Sequence, residues 1–207
     1  MIASDSSTVD TPIEFDQVPI FKLEPIVSLD VLDAELVVAL GNRDDPLRLD
    51  KAKRIIERYQ GIDWVQYRTH TDPDGSPLLS YDRARVARHE NLFELLILSW
   101  APGAQSKIHD HPCERCFLTG ISGNMFEERF IKEADGSLRR IHKASIPNGV
   151  PTWISDDVGL HSVGNDGDEV ACSLHCYVPG FTRAWNLYDP KTGEYCGTSG
   201  ILPTQSS

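Results

Sequence analysis

The chain has 207 residues, of which 40% are hydrophobic and 25% are charged, and its formal net charge is −11 at pH 7. This composition is typical of a folded globular protein. The acidic surplus argues against a protein that binds nucleic acid or an anionic membrane surface, because such partners select clusters of Lys and Arg. Any anionic substrate therefore needs a locally positive group in the site.

The N-terminal part of the sequence predicts an extended segment followed by two helices. Residues 1–27 contain several prolines and few periodic apolar positions. Ser28 can cap a first helix, for which Gly41 is a natural end. A second helix is predicted near Asp50, with Gly61 at its end. The apolar positions at helical spacing are Leu29, Leu32, Leu36, Val37 and Leu40 in the first helix and Ala52, Ile55, Ile56 and Tyr59 in the second.

After residue 61 the pattern changes to short β-branched or aromatic runs separated by Gly, Pro, Asn and Asp. Many short strands at close spacing favour a sandwich or a small barrel. We therefore expect a single domain over residues 1–207, with an N-terminal extended segment and helices in 1–61 and a β-barrel core in 62–207. The predicted strands are residues 92–100, 116–121, 124–131, 153–154 and 171–178.

No apolar run in the sequence has the length of a signal peptide or of a membrane span. The five cysteines are an odd number, and a domain of this size does not need disulfide bonds for stability. These features lead us to expect a cytoplasmic protein with reduced thiols.

Two histidines, His109 and His111, stand one residue apart in the segment Lys-Ile-His-Asp-His. On a strand, alternate side chains share a face, so both imidazoles point one way and Asp110 points the other. Two imidazoles on one face can bind a divalent metal ion. An exposed strand with two surface histidines would show the same pattern, so the spacing alone does not identify a site.

The stretch around this pair, residues 103–123, resembles the first motif of the cupin superfamily in the spacing of its glycines and histidines. In that motif a Glu, often a metal ligand, usually stands where this chain has Cys116. His161 and Asn165 resemble the second cupin motif, which supplies a third histidine, although the usual preceding Pro-x-Gly is absent. Three neutral imidazoles leave the charge of a metal ion uncompensated, which favours an anionic ligand such as a thiolate. Such a ligand set also suits zinc.

Over about residues 81–187 the resemblance narrows to the cysteine dioxygenase family. It implies a mainly β, cupin-type small β-barrel, jelly-roll-like, with the N-terminal α-helices outside. It also implies an iron-dependent thiol dioxygenase that oxidises L-cysteine to cysteine sulfinate with O2, and it favours a monomer. The matching segments are Tyr81-Asp82-Arg83, Leu95-Leu96-Ile97-Leu98-Ser99-Trp100, Ile108-His109-Asp110-His111, Cys116-Phe117-Leu118, Gly159-Leu160-His161 and Ser173-Leu174-His175-Cys176-Tyr177-Val178-Pro179.

The resemblance assigns His109, His111 and His161 to Fe(II), which would leave three coordination positions for the substrate thiolate, its amine and O2. Trp100 would pack near this site. Because the three ligands are neutral, the metal ion would retain its full charge toward an anionic substrate.

Further roles implied by the resemblance concern the substrate. Arg83 would bind the substrate carboxylate through a planar fork that Lys cannot reproduce, and Tyr81 would face the same way on an extended segment. Tyr177 would place its hydroxyl near the substrate, and a thioether would link it to Cys116. His175 shares a strand face with Tyr177 and would orient the phenol.

Several alternatives remain open from the sequence. The substrate could be another small thiol such as 3-mercaptopropionate, although relatives that act on this acid typically carry Gln at the position of Arg83. A non-enzymatic metal-binding cupin and a zinc-dependent isomerase or hydrolase are further possibilities. Cys113 and Cys116 form a Cys-x-x-Cys pair, in which a disulfide would compete with the thioether.

The remaining titratable and thiol residues have simpler predicted roles. We expect Arg85 and Arg88 to lie on the surface. The other three histidines are expected there too, and the other three cysteines are expected to be buried small residues. These two groups are His70, His89 and His142, and Cys172, Cys176 and Cys196.

Overall fold

The computed structural model describes residues 24–180 and 184–199. Within them lie the helices α1 Leu29–Gly41 and α2 Arg48–Glu57, a 3₁₀ helix at Asp63–Tyr67, and eleven strands. The strands are β1 Tyr81–His89, β2 Phe93–Trp100, β3 Ile108–His109, β4 Arg115–Ser122, β5 Met125–Lys132, β6 Leu138–Ile146, β7 Thr152–Ile154, β8 Leu160–Asn165, β9 Ala171–Val178, β10 Trp185–Tyr188 and β11 Tyr195–Ser199. Most of the predicted extended segment lies outside the described residues.

The first predicted helix is confirmed at both ends. The Ser28 hydroxyl accepts a hydrogen bond from the backbone N–H of Val31, as an N-cap residue does, and α1 ends at Gly41. The second helix begins slightly earlier than predicted and ends at Glu57. Tyr59 lies beyond its end, where its backbone forms a parallel bridge with Ile26. In the part of the chain that the structure describes, neither helix is long and apolar enough to cross a membrane.

The strands form two antiparallel sheets, which confirms the mainly β, cupin-type barrel with N-terminal helices. One sheet has five strands in the order β1-β2-β9-β4-β7, and the other has six in the order β11-β10-β3-β8-β5-β6. The first sheet is covered on both faces, with α1 and α2 packed against its outer face and the second sheet opposite its inner face.

Burial on both faces explains why β2 is a continuous apolar run. Its side chains alternate between two hydrophobic clusters, because successive residues of a strand point to opposite faces. Leu95 and Ile97 pack under the helices, whereas Leu96 and Leu98 point between the sheets. The inner cluster also contains Trp100, which closes the barrel interior near the candidate site.

Five predicted strands are confirmed as β2, β4, β5, β7 and β9, with bounds that differ by at most two residues. Strand β3, where alternation was expected to carry both His109 and His111, ends at His109, and strands β1, β6, β8, β10 and β11 were not predicted. Three of these, β1, β6 and β11, lie at sheet edges, where one side faces solvent and charged residues replace apolar ones. Strand β6, for example, is exposed at most of its positions.

Three expectations about single residues are wrong. Arg85 is not a surface residue: its side chain is 13% exposed and its Nε lies 2.7 Å from Oε1 of the fully buried Glu94. His89 is partly buried because its ring bonds the carboxylate of Asp33 at 2.8 Å. Cys196 is exposed on the edge strand β11. The predicted exposure of Arg88, His70 and His142 and the predicted burial of Cys172 and Cys176 are confirmed.

Candidate metal centre and substrate pocket

Three histidines converge inside the barrel. His109 on β3 and His161 on β8 are direct partners across two neighbouring antiparallel strands, and His111 follows β3. One potential ligand atom from each ring lies within 4.8 Å of the other two. Gly159 lets β8 approach its neighbour closely: its φ is +127°, and a Cβ there would lie 2.6 Å from the Phe130 carbonyl oxygen. The chain fold thus brings the predicted triad together.

Hydrogen bonds fix two of the three rings. Nδ1 of His109 lies 2.8 Å from the carbonyl oxygen of Lys107, and Nδ1 of His161 lies 2.7 Å from a carboxylate oxygen of Glu127. Both Nδ1 atoms must donate, so Nε2 of each ring is left as the atom with a free lone pair. Among residues 24–180 and 184–199, neither ring nitrogen of His111 has a hydrogen-bond partner, although the ring is buried.

The environment keeps the three rings neutral. Burial lowers the pKa of His109 to about 4 and those of His111 and His161 well below the usual range. A neutral imidazole has the lone pair that a metal ligand requires. A divalent transition metal ion fits a site formed by buried, neutral nitrogen atoms that have no hydrogen-bond partner in the protein.

Glu127 is a functional residue that the sequence reasoning missed. Its carboxylate accepts from His161 and from Nε of Arg129, at 2.7 and 3.0 Å. Burial raises the pKa of Glu127, and the Arg129 guanidinium opposes that effect. A carboxylate behind a histidine orients the ring and raises its basicity as a ligand. The signal that the sequence offers is an acidic residue inside a predicted strand, since Glu127 lies in 124–131, whereas the strand that it neighbours depends on the pairing order of the whole sheet.

The predicted substrate residues Arg83 and Tyr81 also lie together. They share a face of β1, and one guanidinium nitrogen of Arg83 donates to the Tyr81 hydroxyl at 2.9 Å. The Tyr81 ring stacks on the Trp100 indole, with ring centroids 4.6 Å apart. The Trp185 indole connects Arg83 to the histidine triad, since a Trp185 ring centroid lies 4.7 Å from the Arg83 guanidinium carbon and 6.3 Å from the His109 ring centroid.

Tyr177 lies near both His111 and Trp185. Its ring is nearly parallel to those of His111 and Trp185, at centroid distances of 6.5 and 6.4 Å. Burial raises the pKa of the Tyr177 phenol well above 10, an effect that the charge of Arg83 partly offsets. The hydroxyl therefore retains its proton and can act as a hydrogen-bond donor in the pocket.

A chain of polar side chains lies behind the phenol. The Trp100 indole N–H donates to the Ser173 hydroxyl, which lies within hydrogen-bonding distance of Nε2 of His175, both at 2.8 Å. Nδ1 of His175 lies 3.5 Å from the Tyr177 hydroxyl. Burial lowers the pKa of His175 to about 3, so this ring is neutral. The His175–Tyr177 pair was predicted, whereas the roles of Ser173 and of the Trp100 N–H were not.

The two cysteines of the Cys-x-x-Cys pair are both free thiols. Cys116 and Tyr177 are direct cross-strand partners on β4 and β9, so their side chains lie on the same face of the sheet. Cys113 packs against the inner cluster, and burial raises its pKa to about 12. Cys116 is thus the cysteine that faces Tyr177.

Comparison with known proteins gives a consistent result. The family model described as Cysteine dioxygenase type I matches residues 19–190. Cysteine dioxygenase type 1 of Homo sapiens is 30% identical over 156 residues, which cover 72% of this chain and 74% of that protein. The protein of the same name from Danio rerio is 29% identical over 163 residues, which cover 74% and 76%. Among solved structures, a Cupin_2 domain of an XRE family transcriptional regulator from Enterobacter cloacae overlays with a TM-score of 0.38 and 13% identity, covering 50% of this chain and 99% of that one.

Proposed function

The chain belongs to the cysteine dioxygenase type I family, and on this premise we propose that it oxidises L-cysteine to cysteine sulfinate with O2 and Fe(II). The observation that carries the proposal is the set of three histidine nitrogens within 4.8 Å of one another, connected to Arg83 through the Trp185 indole. The family and the histidine cluster support a metal-dependent dioxygenase for a small thiol. The choice of iron and of L-cysteine is the proposal.

In this proposal His109, His111 and His161 hold the metal ion through neutral imidazole nitrogens. Bound iron would supply the redox chemistry that adds both atoms of O2 to the substrate sulfur. Glu127 holds His161 in the tautomer that leaves Nε2 available, and the Lys107 carbonyl does the same for His109.

Charge complementarity selects the substrate. Arg83 contributes a permanent positive charge and a planar pair of N–H donors, which match a carboxylate. The neutral histidines add no negative charge, and Glu127 is paired with Arg129. A metal dication and Arg83 together suit a substrate that carries a thiolate at one end and a carboxylate at the other, in spite of the acidic exterior.

Tyr177 and Tyr81 complete the substrate wall. Tyr81 orients Arg83 through the hydrogen bond to its hydroxyl, and the protonated Tyr177 hydroxyl donates toward the substrate or O2. His175 positions that phenol from behind. These residues supply orientation and exclusion of water, which are the contributions a protein makes to chemistry of this kind.

We also propose the thioether between Cys116 and Tyr177. The Cys116 S–H bond and one ring C–H bond of Tyr177 break, an S–C bond forms, and O2 accepts the two electrons and two protons. Intact-protein mass spectrometry after incubation with iron, L-cysteine and O2 tests this step. We expect a mass lower by two hydrogen atoms in the parent protein and an unchanged mass in the Cys116→Ser control.

A second candidate substrate is 3-mercaptopropionate. It is favoured by one observation, namely that Arg83 recognises a carboxylate and this acid carries one. Turnover of both thiols by the parent protein and by Arg83→Gln separates the two, since L-cysteine turnover should fall more in the variant. A monomeric state and a cytoplasmic location stay predictions.

The experiment that tests the proposed function is anaerobic loading with Fe(II), followed by O2 uptake with L-cysteine, 3-mercaptopropionate and cysteamine. We expect fastest uptake with L-cysteine, with one cysteine sulfinate formed per O2 consumed. The zinc-loaded protein is the control and should consume no O2. An iron-loaded protein that consumes no O2 with L-cysteine would contradict the proposal.

A further inference from the structure

The guanidinium of Arg83 lies near two aromatic rings that belong to different sheets. Its central carbon is 4.9 Å from the Tyr81 ring centroid and 4.7 Å from that of Trp185. Arg83 and Tyr81 belong to β1, at the edge of the five-stranded sheet, whereas Trp185 begins β10 in the six-stranded sheet. The indole is 4% exposed, so this contact is shielded from water.

Two aromatic rings at these distances attract a guanidinium by cation–π interaction. One guanidinium nitrogen also donates to the Tyr81 hydroxyl at 2.9 Å and lies 3.5 Å from the Ser199 hydroxyl on β11. These contacts together restrict the orientations in which Arg83 can present a planar fork to a carboxylate.

The same indole also reaches the histidine side of the pocket. Its ring is within 4° of parallel to that of Tyr177, and its centroid lies 6.3 Å from that of His109. A single rigid side chain thus contacts Arg83 and stands beside a candidate metal ligand. Trp185 therefore lies next to both the positive charge proposed to bind a carboxylate and a ligand of the centre proposed to bind a thiolate.

We propose that Trp185 is a positioning residue for Arg83 and that it sets the preference for thiols bearing a carboxylate at a fixed distance from sulfur. The inference rests on the proposed function and deepens it. Trp185 does not exchange protons or electrons with the substrate in this role. It acts through the orientation of the Arg83 guanidinium.

The test compares Trp185→Phe, which keeps a ring face, with Trp185→Leu, which removes it. Steady-state kcat and KM are measured with L-cysteine and with cysteamine, which lacks the carboxylate, and iron content is measured for each protein. We expect Trp185→Leu to raise KM for L-cysteine about tenfold, with Trp185→Phe in between, because an indole attracts a shielded cation more strongly than a phenyl ring. The kcat/KM for cysteamine should change far less.

The matched control is Trp153→Leu. Trp153 also stacks on an arginine, with the Arg115 guanidinium carbon 3.9 Å from a ring centroid, but it lies on β7 and packs against the hydrophobic cluster under the helices. Its backbone carbonyl, which the substitution retains, accepts a hydrogen bond from Arg129. This variant should leave both KM values unchanged. The variant measures how much KM changes when a tryptophan–arginine pair outside the pocket is lost.

The outcomes separate the positioning role from the proposed function. If the parent protein oxidises L-cysteine and the Trp185 variants leave KM unchanged, or raise it equally for both thiols, the positioning role is wrong. If the parent protein consumes no O2 with L-cysteine, the proposed function itself is contradicted, whatever the Trp185 variants show. If Trp185→Leu does not fold, Trp185→Phe decides alone, since a KM rise confined to L-cysteine supports the role and an unchanged KM overturns it.

Discussion

The two ends of the pocket are built in different ways. The histidine end comes from one sheet, in which β3, β8 and β5 are neighbours, so backbone hydrogen bonds fix the spacing of His109, His161 and Glu127. The arginine end forms where the edges of both sheets meet, and side-chain contacts between Arg83 and Trp185 join them. A spacing that backbone hydrogen bonds fix changes little when a side chain is substituted, whereas a contact between two side chains changes when either one is substituted.

The two ends also differ in electrostatics. Burial keeps the histidine rings neutral, so this end offers lone pairs and no net charge of its own. A guanidinium cannot lose its proton in a protein, so the arginine end offers a permanent charge. We therefore expect changes at the histidine end to reduce metal retention and kcat, and changes at the arginine end to raise KM while iron content stays the same.

The largest effect is expected for His161→Ala. Removing one of three neutral donors leaves too few ligands to hold the metal ion, so iron content and O2 uptake should both be lost. Metal analysis after gel filtration and an oxygen electrode measure the two quantities. His70→Ala, which removes an exposed histidine, is the control. A variant that retained iron and activity would show that the triad is not the metal centre.

Glu127→Gln tests the support behind the triad. The amide keeps the shape of the side chain but loses the negative charge that faces His161. Loss of such a partner typically lowers metal affinity or activity by about 10- to 100-fold. Competition with a chelator gives the iron affinity, and Glu133→Gln, at an exposed ion pair with Arg139, is the control. An unchanged affinity would mean that β5 has no part in the metal centre.

The sequence predicted the histidine end better than the arginine end, for a physical reason. His109 and His111 stand one residue apart, a spacing that is visible in the chain, although only His109 lies on β3. The contact between Arg83 and Trp185 joins residues far apart in sequence on strands at or beside sheet edges, and an edge strand lacks the apolar alternation that reveals a buried one. The exposure of Arg85 was mispredicted for a related reason. Arg85 also lies on the edge strand β1, and its partner Glu94 is buried inside an apolar strand, where a charge is not expected.

The fold likewise has features that can be predicted from the sequence and features that cannot. The helix bounded by Ser28 and Gly41 was predictable because its cap and its end are local. Glu127 was not, because its role depends on which strand lies next to β8, and pairing order is a property of the whole sheet. The family resemblance supplied site residues that periodicity alone could not, including Arg83 and Tyr177.

Arg83→Lys tests the arginine end of the pocket. Lysine keeps the positive charge but loses the planar fork and the planar group that can stack on an aromatic ring. We expect KM for L-cysteine to rise about 10- to 30-fold, which corresponds to the loss of one charge-assisted hydrogen bond, while iron content is unchanged. Arg88→Lys, at an exposed position of the same strand, is the control. Loss of iron in Arg83→Lys would show that the two ends are not independent.

The smallest effect is expected for Ser173→Ala, which interrupts the polar chain behind the wall that joins the two ends. The change leaves the Trp100 indole N–H and Nε2 of His175 buried without their shared partner. Since one neutral hydrogen bond contributes about 1 kcal/mol, misplacement of the Tyr177 phenol should lower kcat about fivefold. KM and iron content should stay as in the parent protein, and Ser122→Ala on β4 is the control. A rise in KM instead would place the phenol with the arginine end, because a hydroxyl that binds the substrate carboxylate contributes to ground-state affinity.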